Sequence, residues 1–191
     1  MSMIINISEN TIREVVSEVI KRAAAKEEED SLKNLVASTM KDIAEFLTDF
    51  NLKAKLLRNT YTEWVGQYRS RSVKTGTMKF SINLDIIREF GEELADDPYS
   101  DADIEMENQV MVSLWHECGH GLMEHIRYCR RRDTQKGSGI FKGQFLKDTR
   151  WLMGYVEEDI VEEFGEYMAG LRYDSDLFNY LIKYKNNLQY E

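Results

Sequence analysis

All three histidines of this chain lie within ten residues of one another, in the stretch S-L-W-H-E-C-G-H-G-L-M-E-H-I that begins at Ser113. His116 and His120 are four positions apart, so on an α-helix their imidazoles would lie on adjacent turns, about 40° apart around the axis. Two imidazoles placed in this way can bind one metal ion, and the spacing is typical of zinc. Glu117 would lie about 100° round from His116, where it can reach a water molecule without binding the metal itself.

Two other polar residues of this stretch do not fit the same site. His125 would lie about 180° round the helix from His116. Glu124 is on a nearer face but about 12 Å from His116 along the helix axis. A straight helix cannot hold one tetrahedral ion at positions i, i+4 and i+8, so we expect both residues to be structural or solvated.

A catalytic zinc ion usually takes three protein ligands, which leaves one ligand to be found. No histidine occurs outside residues 116–125, and the extended motif with a third histidine fails because Met123 and Ile126 stand where it needs Gly and His. The third ligand should therefore be a carboxylate. The predicted helix that contains V-E-E-D-I-V-E-E-F-G-E-Y-M-A-G-L (Val156–Leu171) is its natural source.

A histidine helix of the form H-E-x-x-H, joined by a glutamate from a second helix, resembles the gluzincin-type zinc metallopeptidases. More narrowly, residues 78–172 resemble the ImmA/IrrE-like minimal metallopeptidases, whose second helix follows the outline E-x-x-A-N-x-F-A-A. The segment E-E-F-G-E-Y-M-A-G (Glu162–Gly170) follows that outline, with Glu166 in place of the asparagine. The resemblance implies that Glu162 is the third metal ligand.

Glu158 is the alternative third ligand, because E-D-I-V-E-E-F-G (158–165) fits the same outline one turn earlier. Glu158 and Glu162 both lie off the apolar face of their helix, on the side of Gly165 and Ala169, where small residues would let the histidine helix approach closely. A solvated acidic face with no ligand is the remaining interpretation.

The resemblance implies a zinc-dependent peptidase, with His116 and His120 as metal ligands and Glu117 as the general base. Its substrate would be a protein or peptide, lying along Met78–Leu84 as an edge strand. The alternative function is a non-catalytic, zinc-stabilised interaction or regulatory module. Glu117 favours the enzyme, because a purely structural zinc site has no need of it.

The elements that must position these residues are mostly helical. Apolar residues at helical spacing predict helices over 8–25 and 32–57, separated by a charged break at 26–30, with Ser8 as the N-cap. An interruption of the second helix near Asn51 is left open. Aromatic and β-branched residues before Gly76, and alternating apolar and polar residues after it, predict a β-hairpin within about residues 61–84. Further helices are predicted over 86–95, 102–131 and 148–171, with loops at 96–100 and 136–143. We therefore expect one α+β domain over residues 1–191, a minimal zincin whose small sheet packs beside the histidine helix.

The net charge of the chain limits the classes of molecule that it would bind. The formal net charge is −9, which argues against nucleic acid or an anionic membrane as the main partner. A local basic cluster at 127–136 fits the C-terminal end of a helix. Cys118 and Cys129 would lie about 16 Å apart on one helix, too far for a disulfide, and no export signal precedes them, so we expect a cytoplasmic protein.

Overall fold

The computed structural model describes residues 9–57, 65–69, 75–94, 101–136 and 143–191. Two compact units divide the chain, Met1–Asn34 and Leu35–Glu191. Of the first unit, residues 9–34 are described, and they are helical throughout. The candidate site lies entirely in the second unit. The prediction of one domain over 1–191 stays a prediction.

The described elements make an α+β protein, as predicted, with many helical residues and one small mixed sheet. In chain order they are α1 (Glu9–Thr48), β1 (Lys53–Leu56), β2 (Gly66–Tyr68), β3 (Thr77–Ile82), α2 (Leu84–Leu94), α3 (Ala102–Lys136), α4 (Gln144–Leu152), α5 (Glu157–Met168) and α6 (Asp176–Lys183), followed by a short 3₁₀ turn (Lys185–Asn187). No helix among these residues is long and apolar enough to cross a membrane.

The predicted break at 26–30 is wrong, because α1 runs through it without interruption. Lysine and glutamate are good helix formers, so a segment rich in them does not by itself stop a helix. Pairs one turn apart support α1 here, including Lys33 with Glu29 at 2.5 Å and Arg22 with Glu18 at 3.0 Å. The predicted N-cap at residue 8 lies outside the described residues.

The predicted helical region to residue 57 is interrupted near Asn51, the alternative left open above, and its continuation beyond that residue is wrong. It stops at Thr48, and the chain turns at Asn51, whose φ of 57° is left-handed. The strand β1 follows over residues that were expected to be helical. Asparagine adopts the left-handed conformation more readily than most residues, which suits it to this helix-to-strand turn.

The predicted hairpin is confirmed in its pairing. Strand β2 runs antiparallel to β3, with Gly66 opposite Ile82 and Tyr68 opposite Phe80. Gly76 precedes β3 with a φ of 66°, as expected for its predicted turn. The strand order β1-β3-β2 nevertheless makes β3 the central strand, since β1 pairs with it in parallel. The expectation that residues 78–84 form an edge strand is therefore wrong, and among the described strands β2 lies at an edge.

The long histidine helix is confirmed as α3, which extends one turn beyond the predicted end at residue 131. It contacts α2, α4, α5 and two strands, so it is buried on most of its circumference. Its apolar side chains pack into a cluster of aromatic rings. Trp115 meets Phe164 of α5 edge-on at 6.0 Å between centroids, and Phe46 of α1 lies 5.7 Å from Trp115.

The predicted helix over 148–171 is in fact two helices. Helix α4 ends at Leu152, Gly154 lies in the turn, and Val156 is extended with φ −66° and ψ 127°. Helix α5 then begins at Glu157 with three acidic residues in its first turn, where they stabilise the positive end of the helix dipole. This break decides the geometry of the site, because it puts Glu157 and Glu158 at the start of a helix. The predicted loop at 96–100 and most of that at 136–143 lie outside the described residues.

Three glycines allow α3 to approach its neighbours closely, which explains why the histidine helix tolerates two of them. A Cβ on Gly119 would lie 3.0 Å from that of Val161, and one on Gly121 would lie 2.7 Å from the sulfur of Met78. The tightest backbone approach is at Gly165 of α5. A Cβ there would lie 2.9 Å from the backbone oxygen of Val112 and 3.2 Å from the backbone nitrogen of His116.

We predict that Gly165→Ala lowers the free energy of unfolding by about 1–3 kcal/mol, because the added methyl group forces α5 away from α3. Alanine raises helix propensity by ~1 kcal/mol, so its intrinsic effect would have the opposite sign. Gly143→Ala, at the N-cap of α4, is the control for a glycine without a close neighbour, since the nearest atom to its Cβ is 4.0 Å away. Denaturant unfolding of the wild type and both variants makes the test. If Gly165→Ala is as stable as the wild type, the packing of α5 on α3 does not depend on this contact.

Candidate metal centre

The two histidines of the motif turn the same ring nitrogen toward each other. Their Nε2 atoms lie 3.2 Å apart, and their ring centroids lie 4.9 Å apart on adjacent turns of α3. Both side chains are about one-fifth exposed, so a ligand can reach them. The predicted convergence of His116 and His120 is thus present in the structure.

Glu158 completes a triangle with these nitrogens. Its Oε2 atom lies 3.5 Å from the Nε2 atom of His116 and 3.5 Å from that of His120. Tetrahedral zinc binds nitrogen and oxygen at about 2.0–2.2 Å, which puts neighbouring ligand atoms roughly 3.3–3.6 Å apart. The three separations therefore fit a zinc ion, and among the described residues this trio is the group whose ligand atoms cluster closely enough to hold a metal.

Glu162, the third ligand that the resemblance implies, lies on the other side of the His116 ring. Its Oε2 atom lies 3.0 Å from the Nδ1 atom of His116, on the opposite side of the ring from Nε2. A carboxylate in this position accepts the Nδ1–H hydrogen bond and leaves the Nε2 lone pair for a metal. The geometry thus favours Glu158, the alternative, as third ligand. The physical reason is the break before α5, which brings the first turn of that helix over the Nε2 atoms.

Glu157 holds His120 in the same way, and sequence reasoning did not find it. Its Oε1 atom lies 2.9 Å from Nδ1 of His120, and its Oε2 atom accepts a hydrogen bond from Arg127. These two hydrogen bonds, that from His120 first, outweigh burial and lower the pKa of Glu157 to about 2. A sequence signal did exist for Arg127, because a residue seven positions after His120 lies on the same stripe of a helix.

The pKa values of the two imidazoles are shifted in opposite directions. The pKa of His116 is lowered, chiefly by burial and then by the nearby His120. Burial also lowers the pKa of His120, but the hydrogen bond to Glu157 and the neighbouring carboxylates outweigh it and raise the pKa overall. Because metal ligation needs neutral imidazoles, acid would compete with any metal bound by these two side chains.

Glu117 lies beside the triangle and is not part of it. Its Oε2 atom accepts a hydrogen bond from the backbone N–H of Tyr68, and only 9% of the residue is exposed. Burial is the largest influence on its carboxyl group and raises the pKa. Gly66 leaves the space for this side chain, since a Cβ there would lie 3.0 Å from Cγ of Glu117.

The candidate site lies in a cleft of about 750 Å³. One wall is strand β2, with Gly66, Gln67 and Tyr68. The histidine helix provides the middle of the cleft, and the first turn of α5 provides Glu157 and Glu158. The edge strand that borders the candidate site is therefore β2.

Glu124 and His125 stay out of the metal centre, as predicted. Glu124 lines the cleft, and its Oε2 atom accepts a hydrogen bond from the hydroxyl group of Tyr68 at 2.8 Å. His125 is completely buried, and its Nε2 atom lies 2.6 Å from the backbone oxygen of Leu188. The geometry makes Nε2 the donor, and Nδ1 has no hydrogen-bond partner among the described residues.

His125 should make folding sensitive to acid. Burial lowers its pKa below the ordinary 6.5, so between 6.5 and the folded-state value the unfolded chain binds a proton that the folded chain does not. Stability then falls as pH drops below about 6.5, by at most about 1.4 kcal/mol per pH unit from this group. In His125→Gln, which keeps a donor for Leu188, we predict a shallower fall.

Denaturant unfolding at a series of pH values checks this prediction, with a chelator present so that metal release adds nothing. The contributions of His116 and His120 are common to both proteins and cancel in the difference. Identical slopes in the two proteins would show that His125 is not the titrating group.

Comparison with known proteins assigns no family: no family model matches this chain, and neither a curated protein nor a solved structure matches it. The resemblance to gluzincin-type and ImmA/IrrE-like metallopeptidases therefore stays a prediction carried by the motif residues. The geometry adds three ligand atoms at tetrahedral separations, each imidazole held by a carboxylate, and a buried glutamate beside them.

Proposed function

We propose that this protein is a zinc-dependent peptidase that takes protein or peptide substrates. His116, His120 and Glu158 would hold one zinc ion per chain. The observation that carries the proposal is the triangle of 3.2, 3.5 and 3.5 Å between their ligand atoms. Nitrogen and oxygen ligands in a set of three are the usual donors of a catalytic zinc centre.

Zinc bound there would supply Lewis-acid chemistry, activating a water molecule and polarising a carbonyl group. The chain's own contribution is the carboxylate of Glu117. It would take the proton of the attacking water and deliver it to the leaving amine. Burial raises the pKa of Glu117, which makes its carboxylate a stronger base than an exposed glutamate. The hydrogen bond from the Tyr68 backbone fixes the direction in which that carboxylate points.

An extended peptide would lie along β2 in this proposal. The strand borders the cleft, and its other edge is paired with β3. A peptide in extended conformation binds such an edge through backbone hydrogen bonds, here with groups of β2 other than the Tyr68 N–H, which Glu117 occupies. We also propose a reducing, cytoplasmic setting, because Cys118 and Cys129 are both buried as free thiols.

The metal assignment gives a graded prediction. Wild-type protein should bind about one zinc ion per chain, and His116→Ala, His120→Ala or Glu158→Ala should abolish tight binding, because each removes a ligand. Glu162→Ala should weaken binding by about 10–100-fold, the usual effect of losing an outer-shell partner. Glu163→Ala, on the same helix, is the control and should change nothing. Competition with a chromophoric chelator measures the zinc affinity of the wild type and the five variants.

Two results would contradict that prediction. A wild-type chain that stays metal-free after zinc addition and dialysis would remove the basis for the metal centre. Loss of zinc in Glu162→Ala, with normal affinity in Glu158→Ala, would make Glu162 the third ligand.

Catalysis is tested separately by Glu117→Gln. This change keeps size and polarity and removes the proton-accepting charge, so we predict that zinc affinity and fold are kept while peptide hydrolysis is lost. General-base catalysis contributes about 10²–10⁴-fold, a loss that any working assay detects. Wild type and variant are incubated side by side with cellular proteins, and fragments made by the wild type alone are identified.

The same experiment discriminates between the enzyme and the non-catalytic zinc-stabilised module. Identical fragment patterns from zinc-loaded wild type and Glu117→Gln would favour the module. Loss of zinc from Glu117→Gln would mean that Glu117 supports the metal and not the proton transfer.

A further inference from the structure

Three side chains lie in series behind the candidate metal centre. Arg127 donates a hydrogen bond to one carboxylate oxygen of Glu157, and the other oxygen lies 2.9 Å from Nδ1 of His120. Helix α3 contributes both ends of this series, and α5 contributes the middle. Each oxygen of Glu157 therefore has a separate partner, and Arg127 reaches His120 through Glu157.

We propose that Arg127 is a positioning residue for the metal centre. It holds Glu157 against His120, so that Nδ1 carries the ring proton and the Nε2 lone pair faces His116 and Glu158. The inference rests on the proposed zinc site. A neutral imidazole has one donor and one acceptor nitrogen, and the hydrogen bond at one nitrogen decides which role the other takes.

Arg127 also separates the roles of two adjacent glutamates. Glu157 and Glu158 are neighbours in the first turn of α5, and either could in principle approach a metal. Glu157 is directed away from the triangle by its two hydrogen bonds, whereas Glu158 is 69% exposed at its side chain and meets both Nε2 atoms. Arg127 thereby leaves Glu158 as the carboxylate that faces the metal.

The ion pair between Arg127 and Glu157 is not explained well by stability alone. The two side chains are 41% and 29% exposed, and pairs as exposed as this contribute little to folding. Orientation of a metal ligand has a larger measurable effect, since loss of an outer-shell partner typically weakens metal binding by about 10–100-fold.

The two ways in which Arg127 can act on zinc have opposite signs. Through space, a guanidinium group repels a divalent cation, so its removal would tighten zinc binding. Through Glu157, its removal frees the carboxylate that orients His120, so zinc binding would weaken. The direction of the change in affinity therefore identifies the mechanism without any measurement of activity.

The experiment compares full-length wild type with Arg127→Met by zinc titration against a chromophoric chelator. We expect zinc binding to be about tenfold weaker in the variant. Arg172→Met is the matched control, because Arg172 is 42% exposed and pairs with Glu163 at 3.0 Å and Glu166 at 3.3 Å. It removes an arginine of about equal exposure whose carboxylate partners are neither Glu157 nor Glu158, and it should leave zinc affinity unchanged.

Two further measurements test the path through Glu157. Glu157→Gln, a change of nearly equal size, should weaken zinc binding by a similar factor, and the double variant with Arg127→Met should be no weaker than either single variant. Nitrogen NMR spectra of the metal-free proteins report the tautomer of each ring, and the chain has only three histidines. His120 should be protonated at Nδ1 in the wild type and lose that preference in Arg127→Met.

The possible outcomes separate the two proposals. If the wild type binds no zinc, the zinc site is wrong and this inference falls with it. If the wild type binds zinc and Arg127→Met binds it equally or more tightly, with the His120 tautomer unchanged, the zinc site stands and the role of Arg127 is overturned. Additive losses in the double variant would likewise overturn the path through Glu157.

Discussion

The close approach of α5 to α3 is the constraint on which the candidate site depends. At Gly165 there is no room for a Cβ against the backbone of Val112 and His116. That contact sets how far Glu158 and Glu162 lie from the histidines. Distances between the ligand atoms that differed by about half an ångström would no longer suit one zinc ion. Packing and chemistry are therefore coupled here. The aromatic cluster around Trp115 and Phe164 buries the other faces of the same two helices and keeps them together.

Charge is distributed in this cleft so that each group has a different task. Glu157 is balanced by Arg127, and Glu162 takes the outer nitrogen of His116. In the proposed function, Glu158 would bind the zinc ion and Glu117 would take the proton. A cluster of four carboxylates in so small a volume would repel itself if all were equivalent. The repulsion is reduced because three of the four have partners: Glu157 pairs with Arg127, Glu162 with the Nδ1 atom of His116, and Glu117 with the backbone N–H of Tyr68.

Residues with a local pattern could be predicted from the sequence, and residues placed by tertiary contacts could not. The spacing of His116, Glu117 and His120 is a property of one helix, so their convergence follows from helical geometry. The choice between Glu158 and Glu162 depends on where α5 begins, and a turn at Gly154 is a weak signal inside an apolar helical pattern. The central position of β3 depends on β1, whose four residues are too short to show alternation.

The hydrogen bond to Glu117 comes from a main-chain N–H group, that of Tyr68. Every amino acid except proline carries this group, so replacing the tyrosine side chain leaves the contact in place. An alanine scan of the cleft would report at position 68 on the loss of the hydroxyl contact with Glu124, and would be blind to the support of Glu117. The direction of that carboxylate therefore depends on the course of the β2 backbone, and within this strand side-chain size matters to Glu117 at Gly66 and not at position 68.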